Sequence, residues 1–351
     1  VMRLAYVINS VEGGGAALPV PALSEVLRAA GVEMTVLALT RRDGRALPAM
    51  AAAGLAVRVR SGGLTDHGAA LRWLDREIAA LGATHIWTSL SRATLLGQLV
   101  GLRRRLPVAS WQHAAWLRPA NLRLLRATRR LSAIWVADSD AVARFATERM
   151  GVPADRLMRW PIFRADAEAP RARPWRPGEP VRIGSLGRLH PVKGYDVLAE
   201  ALRRLPPGLP PIITTIAGEG AARPALEAAG GLALPGYAER PGEWLAALHL
   251  YVQPSRSEGF CVAAHEAMQA GLPVLGSEVG EMAFSIVDGA TGRLVPPGDP
   301  AALAAALADL LAEPERLAAL GTAARARVLE RYAPARFEAA GRAIVARLAA
   351  L

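Results

Sequence analysis

Residues 184–202 read GSLGRLHPVKGYDVLAEAL: the end of an apolar strand, a glycine-bearing loop, then an amphipathic helix opening near Gly194. A strand that passes through a glycine turn into a helix is the first half of a βαβ unit. The loop carries Arg188 and Lys193, five residues apart, so both can converge on one anion. A helix N-terminus beside them adds its dipole and free N–H groups. Lys193 is the single lysine among 42 basic residues. In a chain that otherwise uses arginine throughout, a compact ammonium suited to a diphosphate stands in this one loop. The plainer reading is an ordinary surface lysine.

The same alternation of short apolar runs and Ala/Leu-rich amphipathic segments extends in both directions, the pattern of a parallel sheet. Before this loop, strands are expected at 4–10, 33–39, 55–60, 84–89, 107–112 and 133–139, with helices at 17–30, 68–81 and 92–104. After it, strands are expected at 181–189, 211–218, 248–255 and 273–278, and helix from about 300, broken at Pro314 and Pro334. Between the two series, ADAEAPRARPWRPGEP (165–180) holds four prolines and no apolar period. It reads as a boundary. The expected organisation is an α/β chain of two Rossmann-like domains, 1–168 and 181–333, joined by a linker at 169–180. The helix 334–351 is expected to pack back on the first domain. Two such domains leave a cleft at the carboxyl ends of their strands, the ligand site of doubly wound folds.

At 351 residues and 52% hydrophobic composition, each half can bury a core of its own. No apolar run approaches the ~18–20 residues of a membrane span, and VMRLAYVINS reads as a strand, not a signal peptide. One cysteine, Cys261, excludes an internal disulfide framework and favours a reducing compartment. A cytoplasmic location is expected. The net charge of +11 is uneven: residues 1–170 hold 23 arginines against 13 acids, whereas the rest is nearly balanced. A field of one sign on one half implies an anionic partner there.

The second chemical stretch is SEGFCVAAHEAMQAGLPVLGSE (257–278). Glu258 precedes a Gly-Phe turn, and Glu266 follows it by eight positions, about two helical turns. Both carboxylates can therefore serve one crevice, and carboxylates accept the paired hydroxyls of a ribose or hexose. Glu266 sits among Ala, Met and Val, a costly place for a charge without partners. A solvated helix face is the alternative.

With these two stretches, the chain resembles the retaining glycosyltransferases of family 4, which have the two-domain GT-B fold. The resemblance runs through GRLHPVKGYDVLAEAL, IAGEG (216–220), LYVQPSRSEGF, EAMQAGLPVLGSEVGE and VDGATGRLVPPGD (287–299), in the family's order and spacing. It implies that Arg188 and Lys193 neutralise the donor diphosphate and that Glu266 holds the ribose hydroxyls. It implies that Glu258 contacts the transferred sugar, with the amides of Gly259, Phe260 and Cys261 beside it. Gly218, and the GGG turn with Gly14 and Gly15, would lie near the donor. His113 corresponds to a histidine near the donor sugar. The chain departs from the family at Cys261, usually glycine, and at Ser285, usually glutamate. It departs also in PIFRAD (161–166) and WTSLS (87–91).

The donor implied is a UDP- or GDP-sugar, with no other cofactor and no metal. A rival metal motif is Asp138-Ser139-Asp140, although Asp and Ser are also ordinary helix N-caps. No His/Cys cluster suggests zinc. On the acceptor side, Arg103, Arg104, Arg105, Arg118, Arg123, Arg126, Arg129 and Arg130 gather with Trp111 and Trp116. In the helix expected after Pro119, Arg123, Arg126 and Arg130 share one face at i, i+3 and i+7. This suits an anionic membrane surface at the inner face, or a lipid-linked or glycolipid acceptor. Nucleic acid is the rival polyanion, but no nucleic-acid-binding motif is present. The expected function is transfer of a hexose-type sugar. A non-catalytic sugar-nucleotide binder and a GT-B epimerase are the alternatives.

Overall fold

The computed structural model describes residues 1–351. The chain forms two compact units, Val1–Arg164 with Ala335–Leu351, and Ala165–Pro334.

The first unit runs β1 (Met2–Ser10), α1 (Val20–Ala29), β2 (Val32–Thr40), α2 (Leu47–Ala52), β3 (Ala56–Val59), α3 (His67–Ala80) and β4 (His85–Ser89). It continues through α4 (Ser91–Arg104), β5 (Val108–Gln112), α5 (Pro119–Thr128), β6 (Ile134–Ala137), α6 (Asp140–Glu148) and β7 (Leu157–Arg159). Its sheet has the order β3-β2-β1-β4-β5-β6-β7, with every neighbouring pair parallel. Such strands are covered on both faces, so the central ones read as unbroken apolar runs; Leu4 to Ile8 of β1 are all buried.

The second unit runs β8 (Val181–Leu186), α7 (Tyr195–Arg203), β9 (Ile212–Ala217), α8 (Arg223–Ala229), β10 (Ala233–Gly236), α9 (Pro241–Ala246) and β11 (Leu250–Gln253). Then come α10 (Val262–Gln269), β12 (Val274–Ser277), α11 (Met282–Ser285), β13 (Gly292–Val295), α12 (Pro300–Ala312) and α13 (Arg316–Arg331). Its parallel sheet has the order β10-β9-β8-β11-β12-β13. Leu189, Tyr195, Leu198, Leu250 and Leu307 belong to its core.

Three strands escape sequence reading: β7, β10 and β13. Each is three or four residues long and lies at a sheet edge, so only one neighbour and a short apolar run mark it. Pro235 inside β10 is tolerated there because an edge strand can spare a ladder donor.

The stretch 169–180 is not a free linker but part of the second unit. Ala172 N–H donates to Ala270 O at 2.7 Å. Trp175 packs on that unit's core and donates its indole N–H to Glu179 O at 2.8 Å. One half-buried aromatic helps anchor a segment that otherwise lacks apolar period.

The last helix, α14 (Pro334–Ala349), lies almost wholly with the first unit. Phe337 meets Trp160 with ring centroids 5.3 Å apart. A Cβ at Gly341 would crowd Trp160 and Val26. Trp87, Trp111 and Trp160 form one fully buried aromatic cluster. Trp111 is therefore core, not a member of the surface arginine patch.

Candidate functional site

In the second unit the chain winds outward from β8 to β9 and β10 on one side, and from β11 to β12 and β13 on the other. The loops after β8 and β11 therefore part at the carboxyl ends of adjacent central strands. That switch point is where open α/β sheets bind ligands. The loop after β8 carries Arg188 and Lys193, and the loop after β11 carries Glu258.

The two loops touch. Gly194 has φ 68, and a Cβ there would collide with the Pro254 carbonyl, so glycine is needed on both counts. Gly218, after β9, is pressed in the same way against the Gly187 carbonyl. Lys193 Nζ donates to Glu258 Oε1 at 2.7 Å, with the side chains 21% and 9% exposed. Ser255 Oγ donates to the same oxygen at 2.6 Å. Burial pulls the Lys193 pKa down, but Glu258 and the neighbouring Cys261 and Tyr195 more than offset it, and the ammonium is held above its ordinary value. Arg188 is exposed and makes no ion pair, which leaves it available for an anion.

Cys261 caps α10 with φ 64 and ψ 66, the left-handed region that favours glycine. This is the local reason that glycine suits the position. Burial first, and Glu258 next, push its thiol above the ordinary range. A helix N-terminus acting alone would lower it; here desolvation outweighs that effect. Among the amides at this turn, those of Gly259, Cys261 and Val262 meet no acceptor in the protein. They are unused donors at a helix start.

Phe260 is turned inward, 3% exposed, and its ring packs against His265 and Tyr332. Glu266, in the second turn of α10, has no hydrogen-bond or ion-pair partner, and burial raises its pKa. A partly buried carboxylate without a donor is satisfied by a ligand that brings one.

The first unit holds the remaining candidates. His113 Nδ1 is 3.0 Å from Asp138 Oδ2, and Nε2 is 2.7 Å from Ser89 Oγ. The ring stacks on Trp111. Both nitrogens are engaged in a packed site, so a sugar contact through Nε2 requires the Ser89 bond to open. In the stretch Asp138-Ser139-Asp140, the rival metal motif, each side chain has a protein partner. Asp138 holds His113, Asp140 pairs with Arg159, and Ser139 Oγ accepts from Val142 N–H at 3.0 Å as a helix cap.

Gly14 and Gly15 lie in the turn between β1 and α1 without left-handed backbone, and a Cβ at Gly14 would meet only the Glu12 side chain, at an ordinary contact distance of 4.0 Å. The fold itself does not demand a glycine there.

Among the arginines, Arg104 is claimed by a bidentate pair with Asp75 at 2.6 and 2.8 Å, and Arg103 approaches the same carboxylate at 3.7 Å. Arg105 caps α4 in the left-handed region. Helix α5 ends at Thr128, so Arg130 stands on a following 3-10 turn and not on the same helical face as Arg123 and Arg126. Arg123, Arg126 and Arg130 are nevertheless exposed. So are Leu99, Leu102, Trp116 and Leu124.

Residues that sequence reading missed are Ser255 and Gln253, which crowd the Glu258 carboxylate, and Glu281, whose N–H donates to Gly259 O at 2.8 Å. Ser255 stood in the quoted motif as a small polar residue three before Glu258. Glu281 closes the quoted stretch EAMQAGLPVLGSEVGE, but nothing in its spacing pointed to Gly259, because the contact spans loops from different strands.

Two Rossmann-like sheets, with a basic loop and a glutamate turn at the switch point of the second, define the GT-B class of glycosyltransferases. The comparisons agree. The chain belongs to the glycosyltransferases, with a Glycosyltransferase Family 4 domain over residues 13–163 and a "Glycosyl transferases group 1" domain over 180–313. It is 36% identical over 208 residues to the D-inositol 3-phosphate glycosyltransferase of Streptomyces scabiei, covering 54% of this chain and 41% of that one. It is 34% identical over 197 residues to D-inositol 3-phosphate glycosyltransferase 2 of Catenulispora acidiphila, covering 51% and 45%. The chain thus spans less than half the length of these relatives. In fold it is similar to HepE of Anabaena in complex with UDP-glucose, with a TM-score of 0.83 at 19% identity over 100% of both chains. Sucrose-phosphate synthase of Thermosynechococcus elongatus gives 0.79 at 20%, again over 100% of both. No helix of the chain is long and apolar enough to cross a membrane.

Proposed function

We propose that the chain is a retaining glycosyltransferase that moves a hexose-type sugar from a UDP- or GDP-sugar to a lipid-linked saccharide or glycolipid. The observation that carries this reading is the Lys193–Glu258 pair at the switch point of the second sheet, with Arg188 unpaired beside it. Arg188, Lys193 and the unused amides of Gly259, Cys261 and Val262 would stabilise the charge that develops on the departing diphosphate. Glu266 would accept both ribose hydroxyls, and Glu258 would orient the transferred sugar. The leaving phosphate would take the acceptor's proton on the same face, without a covalent enzyme intermediate.

Two cationic side chains would do the electrostatic work of a metal. Transfer is therefore expected to persist in excess EDTA, and a strict manganese requirement abolished by Asp140→Ala would overturn that part. The test of the whole is donor hydrolysis or transfer from a panel of UDP- and GDP-sugars. Turnover with none of them, or turnover that needs no acceptor and only epimerises the donor, would refute it.

Exposed Leu99, Leu102, Trp116 and Leu124 stand on the same stretch as exposed Arg103, Arg105, Arg123 and Arg126. Apolar side chains among cations support peripheral contact with an anionic inner membrane face. A second reading, a small phosphorylated cyclitol as acceptor, is favoured by the names of the curated relatives and by the same positive half. Transfer to inositol 3-phosphate in free solution, with none to a lipid-linked acceptor, would select it.

A further inference from the structure

Behind the donor turn lies a buried polar chain that the diphosphate chemistry does not use. His265, on α10, places Nδ1 2.9 Å from the Cys261 carbonyl and Nε2 2.8 Å from Ser285 Oγ. Ser285 Oγ lies 2.8 Å from the Tyr332 hydroxyl, which is also 2.9 Å from Glu281 Oε1. Arg331 Nη2 donates to Glu281 Oε1 at 2.5 Å. Burial lowers the His265 pKa to about 4, so the ring is neutral. A carbonyl faces Nδ1, so the proton sits there and Nε2 accepts from Ser285; the single Tyr332 hydroxyl hydrogen is then shared between Ser285 Oγ and Glu281 Oε1.

This chain grips the turn 258–261 from behind. Its far end is Glu281, whose own N–H holds the Gly259 carbonyl at 2.8 Å. The Gly259 and Cys261 carbonyls are thus both held inward, and the Phe260 ring fills the space between them against His265 and Tyr332. Across a trans peptide the C=O and the next N–H point oppositely. Holding the Cys261 carbonyl therefore aims the Val262 amide, one of the unused donors, away from the clamp. It also holds Cys261 in a left-handed conformation that a residue with a Cβ disfavours by ~1–2 kcal/mol.

We propose that His265, Ser285 and Tyr332 are positioning residues for the donor site: their hydrogen-bonded chain holds the 258–261 turn in the shape that presents its amides and Glu258 to the diphosphate-sugar. The second half of this statement rests on the donor reading above, and the clamp itself does not.

The test compares Tyr332→Phe, His265→Leu and His265→Asn in the full chain. Tyr332→Phe keeps the ring and loses only the hydroxyl; His265→Asn keeps a donor near the Nδ1 position. Two quantities are read: the maleimide reaction rate of Cys261, the only thiol, and the Kd for UDP by calorimetry. Loss of a bond worth about 1 kcal/mol or more is expected to raise both roughly 5- to 10-fold in Tyr332→Phe and His265→Leu. His265→Asn keeps the Cys261 contact but not the Ser285 one, so both quantities are expected to fall between those of His265→Leu and the parent. Unchanged labelling and UDP affinity in the first two variants would overturn the proposal, as would a His265→Asn protein no better than His265→Leu. If His265→Leu does not fold, Tyr332→Phe decides. A parent that fails to bind UDP would count against the donor reading, while the labelling rates still judge the clamp.

Discussion

Replacing Lys193 by methionine and Glu258 by glutamine, singly and together, tests whether the switch-point pair is both a structural contact and the diphosphate site. At 2.7 Å and an effective dielectric of about 20, the two charges attract by about 6 kcal/mol. Desolvation of both ends offsets much of that, so the net worth of the pair is smaller than the cost of orphaning one member. Each single substitution is expected to cost about 3 kcal/mol, the low end for a broken buried pair, because Lys193 is still 21% exposed. The double substitution leaves no charge unpaired and is expected to cost less than the two singles together by at least ~1 kcal/mol. Chemical denaturation measures all three. Function then separates the partners. A diphosphate supplies Lys193 with a new anion, so Glu258→Gln is expected to keep UDP affinity in calorimetry while losing sugar transfer. Lys193→Met is expected to lose both, with transfer down by at least ~100-fold. Additive stability losses, or a Lys193→Met protein that binds UDP like the parent, would refute the assignment.

Burial raises the Glu266 pKa, so in the pH window between its unfolded and folded values the native state holds the proton more tightly. Its contribution to stability is then fully present below the unfolded pKa and is lost as pH rises through the folded one. Glu266→Gln is expected to raise the unfolding midpoint at neutral pH but not at acid pH, and to weaken UDP binding. A midpoint difference independent of pH would contradict this. Cys261→Gly is expected to be more stable than Cys261→Ala by about 1 kcal/mol, since only glycine relieves the left-handed backbone; chemical denaturation giving the reverse order would deny the strain. Replacing Arg123, Arg126 and Arg130 with Gln is expected to weaken co-sedimentation with anionic vesicles, an interaction steeply reduced by salt, and to leave UDP affinity unchanged. Equal co-sedimentation of variant and parent would place the membrane face elsewhere.

Much of the architecture was legible locally. The runs LAYVINS and EMTVLAL mark β1 and β2 because strands covered on both faces have no polar side to hide, and Pro314 and Pro334 mark helix breaks because proline cannot continue a helix. The donor motifs were legible for a related reason. Arg188, Lys193, Glu258 and Glu266 lie within two short stretches, each a loop and the helix it feeds, so spacing carries their geometry. Three-residue edge strands such as β7 have too few side chains to show a period, and Trp175 together with the Ala172–Ala270 bond made an expected linker part of a unit.

What only the tertiary structure decided are contacts between residues far apart in the chain. Sequence could offer Lys193 and Glu258 as candidates, but the order β9-β8-β11-β12 is what brings their loops together. It could not show that Arg104 is spent on Asp75, that His113 is held at both nitrogens, or that Ser285 links His265 to Tyr332. Desolvation depends on everything packed around a group, so the thiol of Cys261 and the carboxyl of Glu266 acquired their raised pKa values only in the fold. Sequence by itself determined the periodicity, the turns and the kinds of charge available. The fold decided which of those charges are already paired and which remain for a ligand, because pairing is a matter of distance in space.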